Sequence, residues 1–332
     1  MEMRLDIRTR EQLVDRRQRL VAARQTPAAS SELGDLLDQV DAALSRFDAG
    51  SYGLCETCHE PIEGDRLRVD PLIRFCLDHL DAAEQRALER DLQMASQVQR
   101  TLLPKRDIEA STWDIHYRYD AMGPVSGDYC DVILPRVASS GVLVAVGDVS
   151  GKGVAASLLS AHLSALFRTL DDVGLSLRDM LYRANRLFCE STGESHYATI
   201  VLGRARIDGT VEWANAAQGA PLLLHDGRVE VLPTRGLPLG MFCDSPYRSE
   251  TLHASPGDLV VLYTDGVTEA RNPRGEEFGR ERLASALAGT RPASAREAAE
   301  LCFAALERFR SGTPSNDDVT LLVLRRIVDA PG

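Results

Sequence analysis

Four aspartates stand beside short apolar segments, each in a turn that also contains glycine or asparagine. They are Asp128, Asp148, Asp265 and Asp317. One such residue alone would not indicate a function, because Asp and Asn favour turns beside strands. Four carboxylates brought together repel one another unless cations lie between them. Since oxygen ligands of this kind select a hard cation such as Mg²⁺ or Mn²⁺ over Zn²⁺, the pattern predicts a carboxylate metal site.

A glycine-rich segment, Gly-Asp-Val-Ser-Gly-Lys-Gly at 147–153, lies between an apolar run and a helix-like run. It is not a phosphate-binding P-loop, because its spacing is one residue short and Gly153 stands where a Ser or Thr is needed. A degenerate dinucleotide-binding pattern ending at Ala156 is also present, but Asp171 and Asp172 follow a helix rather than a second strand. Cofactor-dependent redox chemistry is therefore the weaker alternative to metal binding.

A second group of potential ligands lies in the first third of the chain. Cys55-x-x-Cys58 and Cys76-x-x-His79 are separated by seventeen residues. Three thiolates and an imidazole supply the four ligands of a closed tetrahedral zinc site. His59 is a poorer fourth ligand, because it adjoins Cys58 and would strain the knuckle. The spacing predicts one structural Zn²⁺.

The aspartate motifs resemble those of the metal-dependent PPM serine/threonine phosphatases, in particular the bacterial SpoIIE/RsbU-like group. The matching segments are 126–131 (SGDYCD), 147–153 (GDVSGKG), 264–270 (TDGVTEA) and 317–320 (DDVT), and the resemblance runs in order from about residue 92 to 327. It implies an α+β fold, the PPM-type α-β-β-α sandwich of two antiparallel sheets flanked by helices. Short strands, hairpin turns and grouped helices in the sequence favour the same architecture.

The resemblance also implies roles for particular residues. Asp148 would bridge two Mn²⁺ or Mg²⁺ ions with help from the Val149 carbonyl. Asp265 and Asp317 would hold one ion, and Asp128 would serve the other directly or through water. Asp148 and Asp265 would then act in catalysis through a metal-bound water that attacks the phosphorus of phosphoserine or phosphothreonine.

Several neighbours of these ligands are candidates for supporting roles. Lys152 is a candidate for binding the substrate phosphate, although exposed loop lysines usually have no such task. Asp131 and Asp318 flank presumed ligands and could support them or simply be solvated. At 215–218 the chain reads Asn-Ala-Ala-Gln where the group often has Asn-Ala-Gly-His, so Gln218 replaces the usual histidine.

The zinc-ligand segment is similar to the DksA/TraR zinc-finger family. The similarity extends over 36–80, with His79 in place of that family's usual final cysteine. Some members insert an acidic-tipped coiled coil into RNA polymerase, but the tip expected here, 25–31, contains no aspartate. A sensory or docking module that acts on the enzyme behind it is the favoured interpretation, and RNA polymerase is a less favoured partner.

Helical and strand periodicity, together with the two resemblances, divides the chain into four parts. They are a helical hairpin at 1–50 with helices near 4–25 and 31–48, a zinc finger at 51–80, a linker helix at 81–104 and a phosphatase domain at 105–328. Within the last part we expect helices at 154–170, 177–189 and 294–310, hairpin turns at 207–210 and 225–228, and a strand with one solvated face at 113–119. The resemblance implies that the linker helix pairs two subunits as a homodimer, and the alternative is a helix that packs on its own domain.

Composition limits the remaining possibilities. The chain has 332 residues, 44% hydrophobic content and a net charge of -11, which argues against direct nucleic-acid binding. No apolar run approaches the roughly 18 residues of a membrane span, and no secretory segment opens the chain. An odd number of cysteines, seven, favours reduced thiols over disulfides and a cytoplasmic location.

The predicted function is hydrolysis of phosphoserine or phosphothreonine on a protein. By resemblance, the substrate would be a phosphorylated anti-anti-sigma protein of the STAS type in bacterial partner-switching signalling, with regulation by the zinc-finger module. The alternative is a transcription-associated zinc-finger protein that binds RNA polymerase and carries a vestigial phosphatase domain. The intact set of four aspartates argues against that alternative.

Overall fold

The computed structural model describes residues 2–24, 31–80, 82–135, 141–192 and 196–327. The chain divides into two compact units, Met1–Asp91 and Leu92–Gly332. The predicted domain boundaries remain a proposal. No described helix combines the length and the apolar content that crossing a lipid bilayer requires.

The first unit begins with a pair of helices and continues into a small irregular module. Its elements are α1 (Glu2–Arg24), α2 (Ser31–Asp48), α3 (Gly64–Val69) and a 3-10 turn at Leu77–His79. Leu13 of α1 packs against Val40 and Ala43 of α2, which makes the predicted hairpin. The expected hairpin tip lies outside the described residues except for Ser31, where α2 begins.

Helix α4 (Ala82–Leu102) contains the boundary between the two units. The other helices of the second unit are α5 (Val154–Asp172), α6 (Leu177–Ser191), α7 (Asp265–Thr268), α8 (Gly279–Leu287) and α9 (Ala295–Arg310). The strands are β1 (Asp107–Ala110), β2 (Trp113–Asp120), β3 (Asp128–Ile133), β4 (Val142–Val149), β5 (Ala198–Ala205), β6 (Thr210–Ala216), β7 (Leu222–His225), β8 (Arg228–Val231), β9 (Ser249–His253), β10 (Leu259–Tyr263) and β11 (Val319–Arg326).

These strands form two antiparallel sheets, which confirms the predicted sandwich. The first sheet has the order β3-β4-β5-β6-β9 and the second β1-β2-β11-β10-β7-β8. Residues such as Val144 and Leu322 fill the space between the sheets. Helices α5 and α6 cover the outer face of the first sheet through Phe167 and Phe188, and α8 and α9 cover the second. Helices on the outside and sheets on the inside leave the strand ends free to form a site.

The long helices and hairpins lie where the sequence predicts them, but the environment of β2 does not match the prediction. We expected one solvated face on this strand, whereas His116 on that face is buried. Helix α9 accounts for the difference: its Ala295 amide donates to the Asp114 carboxylate at 2.7 Å, and Arg118 stacks over Phe303. Asp114 and Arg118 thus contact α9, while His116 is hydrogen-bonded to Asp107 of β1 at 2.7 Å.

The cysteines provide a second correction. Cys130 and Cys302 are buried free thiols, as expected of core residues. Cys189 at the end of α6 is instead joined to Cys243 by a disulfide, with 5.9 Å between their α carbons. The expectation that every cysteine outside the zinc motifs stays reduced is therefore wrong for this pair. Two cysteines 54 positions apart have no spacing signature, so only the fold reveals their proximity.

Candidate metal centres

Two of the predicted aspartates lie side by side on the first sheet. Asp128 is the first residue of β3 and Asp148 is the last but one of β4. The antiparallel register pairs these two residues directly. The two aspartates therefore lie at the same end of this pair of strands, next to an apolar strand as the sequence predicts.

The other two aspartates occupy neighbouring strand ends of the second sheet. Asp265 follows β10 by two residues, and Asp317 precedes β11 by two. These strands are antiparallel neighbours, with Tyr263 paired to Leu321. The end of β10 and the start of β11 consequently lie together, and all four aspartates are gathered from two sheets.

Close backbone approach at this edge requires glycine at two positions. A side chain on Gly266 would come within 1.8 Å of the Asp318 carbonyl oxygen. At Gly127 a β carbon would lie 2.8 Å from the Val149 carbonyl oxygen and 3.1 Å from Oδ1 of Asp148. Both oxygens thus face the space that the missing side chain leaves open, which fits their predicted role as neighbouring ligands of one ion.

Asp128 is almost completely buried and is held by hydroxyl groups from the opposite sheet. Thr264 and Thr320 both donate to its Oδ2 atom, the first at 3.0 Å. Burial raises the pKa of Asp128 well above its usual value, and the charges of Asp148 and Asp318 act in the same direction. Two hydroxyl donors are too few to compensate a buried carboxylate fully, so a cation is the natural further partner.

Asp148 is only partly buried, but three other carboxylates lie near it. Burial, followed by the charges of Asp265, Asp317 and Asp318, raises the pKa of Asp148 to about 7. Loss of hydration and the Asp317 charge also raise the pKa of Asp265. A cation bound among these carboxylates would relieve their mutual repulsion.

The aspartates are more widely spaced than the ligands of a single ion. In the described parts of the chain, one group of three or more Cys, His, Asp or Glu residues has its ligand atoms all within 4.8 Å of one another, and it does not contain an aspartate. Binding at the acidic cluster would therefore require the side chains to move inward or to share two ions. A donor set made only of oxygens suits Mn²⁺ or Mg²⁺.

We predict that, without added divalent ions, the second unit loses stability as the pH rises from about 4 towards 7. The pKa of Asp148 in the folded protein, about 7, exceeds the reference value of 3.8, so the folded state binds more protons in this range. Stability that is present at low pH is then lost as the carboxylate ionises, on the order of 1–3 kcal/mol. Thermal melts of protein dialysed free of Mn²⁺ and Mg²⁺, at pH 5.5 and 7.5, measure the effect.

Asp148→Asn is the informative variant for this experiment, because it removes the titrating group without a large change in volume. Its melting temperature should vary less with pH and should exceed that of the wild type at pH 7.5. Added Mn²⁺ should raise the wild-type melting temperature and leave the variant nearly unchanged. If the melting temperature of the wild type is instead higher at pH 7.5 than at pH 5.5, repulsion at Asp148 does not determine the stability of this unit.

Three neighbours of the cluster have defined contacts. Lys152 is exposed and donates from Nζ to the Asn316 carbonyl oxygen at 3.1 Å, which places its charge beside the loop that carries Asp317. Asp318 accepts from the Gly127 amide at 3.0 Å and so joins the two sheets. Asp131 is completely buried and ion-paired with Arg168, so it stabilises the fold and is not directed at the cluster.

Gln218 links the strands behind the site. Its Nε2 donates to the Tyr263 carbonyl oxygen at 2.9 Å, at the end of β10, and its Oε1 accepts from the Thr199 hydroxyl. Asn215 accepts from the Gln218 amide and donates to its carbonyl oxygen. Glutamine at this position therefore has a structural task in the buried interior.

A search of the sequence for charged side chains does not find the two threonines that bind Asp128. Thr264 and Thr320 are separated by 56 positions in the chain, yet the Thr320 amide donates to the Thr264 hydroxyl at 3.0 Å. Their one sequence signal is their position in the motifs at 264–270 and 317–320.

The second candidate centre lies in the first unit. The ligand atoms of Cys55, Cys58, Cys76 and His79 all lie within 4.8 Å of one another. The Cys58 and Cys76 sulfurs are 3.8 Å apart, and His79 Nδ1 is 3.2 Å from the Cys76 sulfur. Two sulfurs bound to one tetrahedral Zn²⁺ at about 2.3 Å are separated by about 3.8 Å, so the donor set and its spacing fit zinc.

Two protein-family models match the chain, one in each unit. Residues 138–327, more than half of the chain, match the family described as Stage II sporulation protein E (SpoIIE). The chain belongs to the SpoIIE family. The match begins after Asp128, so this ligand candidate rests on geometry. Residues 50–78 match the prokaryotic dksA/traR C4-type zinc finger, which confirms the predicted zinc-finger module and ends one residue before His79.

Individual relatives extend the SpoIIE assignment. Phosphoserine phosphatase RsbU of Bacillus subtilis is 27% identical over 247 residues, which cover 74% of this chain and 72% of RsbU. Protein IcfG of Synechocystis is 26% identical over 265 residues, 71% of this chain but 41% of IcfG, so the chain spans about two fifths of that relative. The SiaA-PP2C domain of Pseudomonas aeruginosa superposes with a TM-score of 0.63 at 24% identity, covering 74% of this chain and 99% of that domain. The SpoIIE-family unit therefore has the PP2C fold.

Proposed function

We propose that this protein is a metal-dependent phosphatase that hydrolyses phosphoserine and phosphothreonine in proteins. The observation that carries the proposal is the gathering of Asp128, Asp148, Asp265 and Asp317 from the ends of strands in two sheets. Their repulsion, together with the raised pKa of Asp148, indicates a site that is stabilised by divalent cations. Membership of the SpoIIE family and similarity to a phosphoserine phosphatase support the reaction class.

The proposed ligand assignment is the one that the resemblance to the SpoIIE/RsbU-like group implies, and the placement of each group supports it. Asp148 would be shared by two Mn²⁺ or Mg²⁺ ions, with the Val149 carbonyl beside it. Asp265 and Asp317 would hold one ion, and Asp128 would hold the other directly or through water. When bound, such ions make water a nucleophile at neutral pH and offset charge on the phosphoryl oxygens.

The surrounding residues would position these ligands and the substrate. The Thr264 and Thr320 hydroxyls fix Asp128, and Gly127 keeps side-chain volume away from Asp148. Lys152 would attract the phosphate dianion to the rim of an otherwise acidic site, since its ammonium group is exposed there. Acidic clusters repel phosphate in the absence of cations, so recognition and reaction would both depend on the metal.

We propose a phosphorylated anti-anti-sigma protein of the STAS type as the substrate class. The resemblance of the four aspartate motifs to the SpoIIE/RsbU-like group supports this choice. The zinc-finger module would regulate the phosphatase, and α4 would pair two subunits. The rival proposal, binding to RNA polymerase through the zinc finger, is less favoured because it assigns no task to the acidic cluster.

Turnover of a phosphorylated STAS protein tests the proposal. Purified protein with Mn²⁺ should release inorganic phosphate from the phosphoserine form, and dialysis to remove Mn²⁺ should abolish release. Failure to hydrolyse any phosphoserine or phosphothreonine protein or peptide in a panel would contradict the activity itself. A change in rate on removal of residues 1–80 would support regulation by the zinc-finger module, whereas an equal rate would remove that part of the proposal.

A further inference from the structure

The last turns of α4 are attached to the polypeptide immediately before Asp128. The Gln99 side chain donates from Nε2 to the Ser126 carbonyl oxygen at 2.7 Å and accepts from the Ser126 amide at Oε1, at 3.0 Å. One side-chain amide therefore binds both backbone groups of the same residue. Such a two-point contact fixes the orientation of Ser126 as well as its distance from the helix.

Ser126 in turn fixes Asp128. Its hydroxyl oxygen accepts from the Asp128 amide at 3.0 Å, and Ser126 is completely buried. Thr264 and Thr320 bind the Oδ2 atom of the same aspartate. Within the described residues these hydroxyls donate to one oxygen, so the Oδ1 atom is the one left for a cation. The position of Oδ1 depends on the backbone, which the Ser126 contact controls.

A second attachment lies on the other side of Asp128. Asp131, three residues further along β3, accepts from both Nε and Nη2 of Arg168 at 2.9 Å. The same Nη2 donates to the Leu102 carbonyl oxygen at the end of α4, at 3.3 Å. The strand segment that contains Asp128 is therefore connected to α4 at both ends, directly through Gln99 and indirectly through Arg168.

From these contacts we infer that Gln99 is a positioning residue for Asp128, which acts by holding Ser126 in the orientation that a divalent ion at Asp128 requires. The inference rests on the proposed function, because it takes Asp128 to be a metal ligand. Its consequence is specific: loss of the Gln99 contacts weakens Mn²⁺ binding, whereas the maximal rate at saturating Mn²⁺ changes little. A merely structural contact would instead lower the melting temperature without a selective effect on metal affinity.

Direct measurement of Mn²⁺ binding to the full chain, by the electron paramagnetic resonance signal of free Mn²⁺, tests the inference without a substrate. Gln99→Leu removes both hydrogen bonds and is expected to weaken Mn²⁺ binding by roughly 10-fold or more, on the scale seen when groups that support metal ligands are lost. Gln97→Leu is the matched control, because Gln97 is an exposed residue on the same helix. The Mn²⁺ affinity of this control should stay within about twofold of the wild-type value, a smaller change than the one expected for Gln99→Leu.

A second variant tests the same inference independently, in case Gln99→Leu does not fold. Ser126→Ala removes the oxygen that accepts from the Asp128 amide but leaves the backbone contacts with Gln99 intact. It should weaken Mn²⁺ binding in the same direction, with a melting temperature close to that of the wild type. Equal Mn²⁺ affinity in wild type and Gln99→Leu would overturn the positioning role and leave the phosphatase proposal standing. Wild-type protein that binds no Mn²⁺ would overturn both, whereas Mn²⁺ binding without hydrolysis would overturn only the phosphatase.

Discussion

Replacing Asp148 with asparagine is expected to lower phosphatase activity towards a phosphoserine protein by roughly a thousandfold or more, because metal ions supply both the nucleophile and the charge compensation of this reaction. Asp148 lies near the other carboxylates of the cluster, since the charges of Asp265, Asp317 and Asp318 all act on it. Asparagine keeps the shape but removes the negative charge that two shared cations would need. Asp265→Asn should show a loss of similar size.

The measurement is the steady-state rate of phosphate release at several Mn²⁺ concentrations. Asp226→Asn is a suitable control, because Asp226 is exposed in a hairpin turn at a positive φ of 47°, which asparagine tolerates. That variant should retain wild-type activity. A loss of less than tenfold in Asp148→Asn would contradict the two-ion scheme. Full recovery of the Asp148→Asn rate at high Mn²⁺ would show that Asp148 contributes only to Mn²⁺ affinity and not to the reaction itself.

Loss of a single zinc ligand is expected to unfold the zinc-finger module. Cys55 and Cys76 are buried together with Ile62 in a small apolar cluster that has few other residues. Modules of this size depend on the metal for most of their folding free energy, and removal of one thiolate lowers zinc affinity steeply. Cys55→Ser should therefore reduce bound zinc from about one ion per chain to nearly none, and should make residues 51–80 sensitive to protease.

Two substitutions at histidines make this prediction specific. His79→Cys should retain zinc, because it completes a set of four cysteines like that of the matched C4-type family. His59→Asn should also retain zinc, since His59 is not part of the cluster and asparagine accepts its positive φ of 60°. Zinc content by mass spectrometry and limited proteolysis are the readouts. Equimolar zinc in purified Cys55→Ser would show that the cluster is not the zinc site.

The parts of the site that sequence could predict are those with strong local signals. An aspartate in a glycine-containing turn beside an apolar run marks a strand end, and this signal correctly located Asp148 and Asp265 at the ends of strands in two sheets. Asp-Gly pairs likewise identified the hairpin at Asp226, because that turn needs residues that accept positive φ. In each case the residue type and its immediate neighbours determine the local backbone.

The contacts that hold the ligands could not be predicted in this way, because they join distant segments. The Thr320 hydroxyl binds Asp128 across 192 positions, and Asp318 binds the Gly127 amide across 191. Such pairs depend on the registration of two sheets, which no local pattern encodes. The same reason explains why Cys189 and Cys243 were expected to be free thiols, and why the packing of the correctly predicted helix α9 on β2 was not anticipated.

The position of α4 has a practical consequence for biochemists who wish to work with the catalytic part alone. A recombinant fragment starting at residue 105, where the first strands begin, would discard Gln99 and the Leu102 carbonyl together with their anchors on either side of Asp128. A fragment starting near residue 92 would keep both. Poor turnover by the shorter fragment would then reflect the loss of these contacts, and a fusion that replaces residues 1–91 should preserve the last turns of α4.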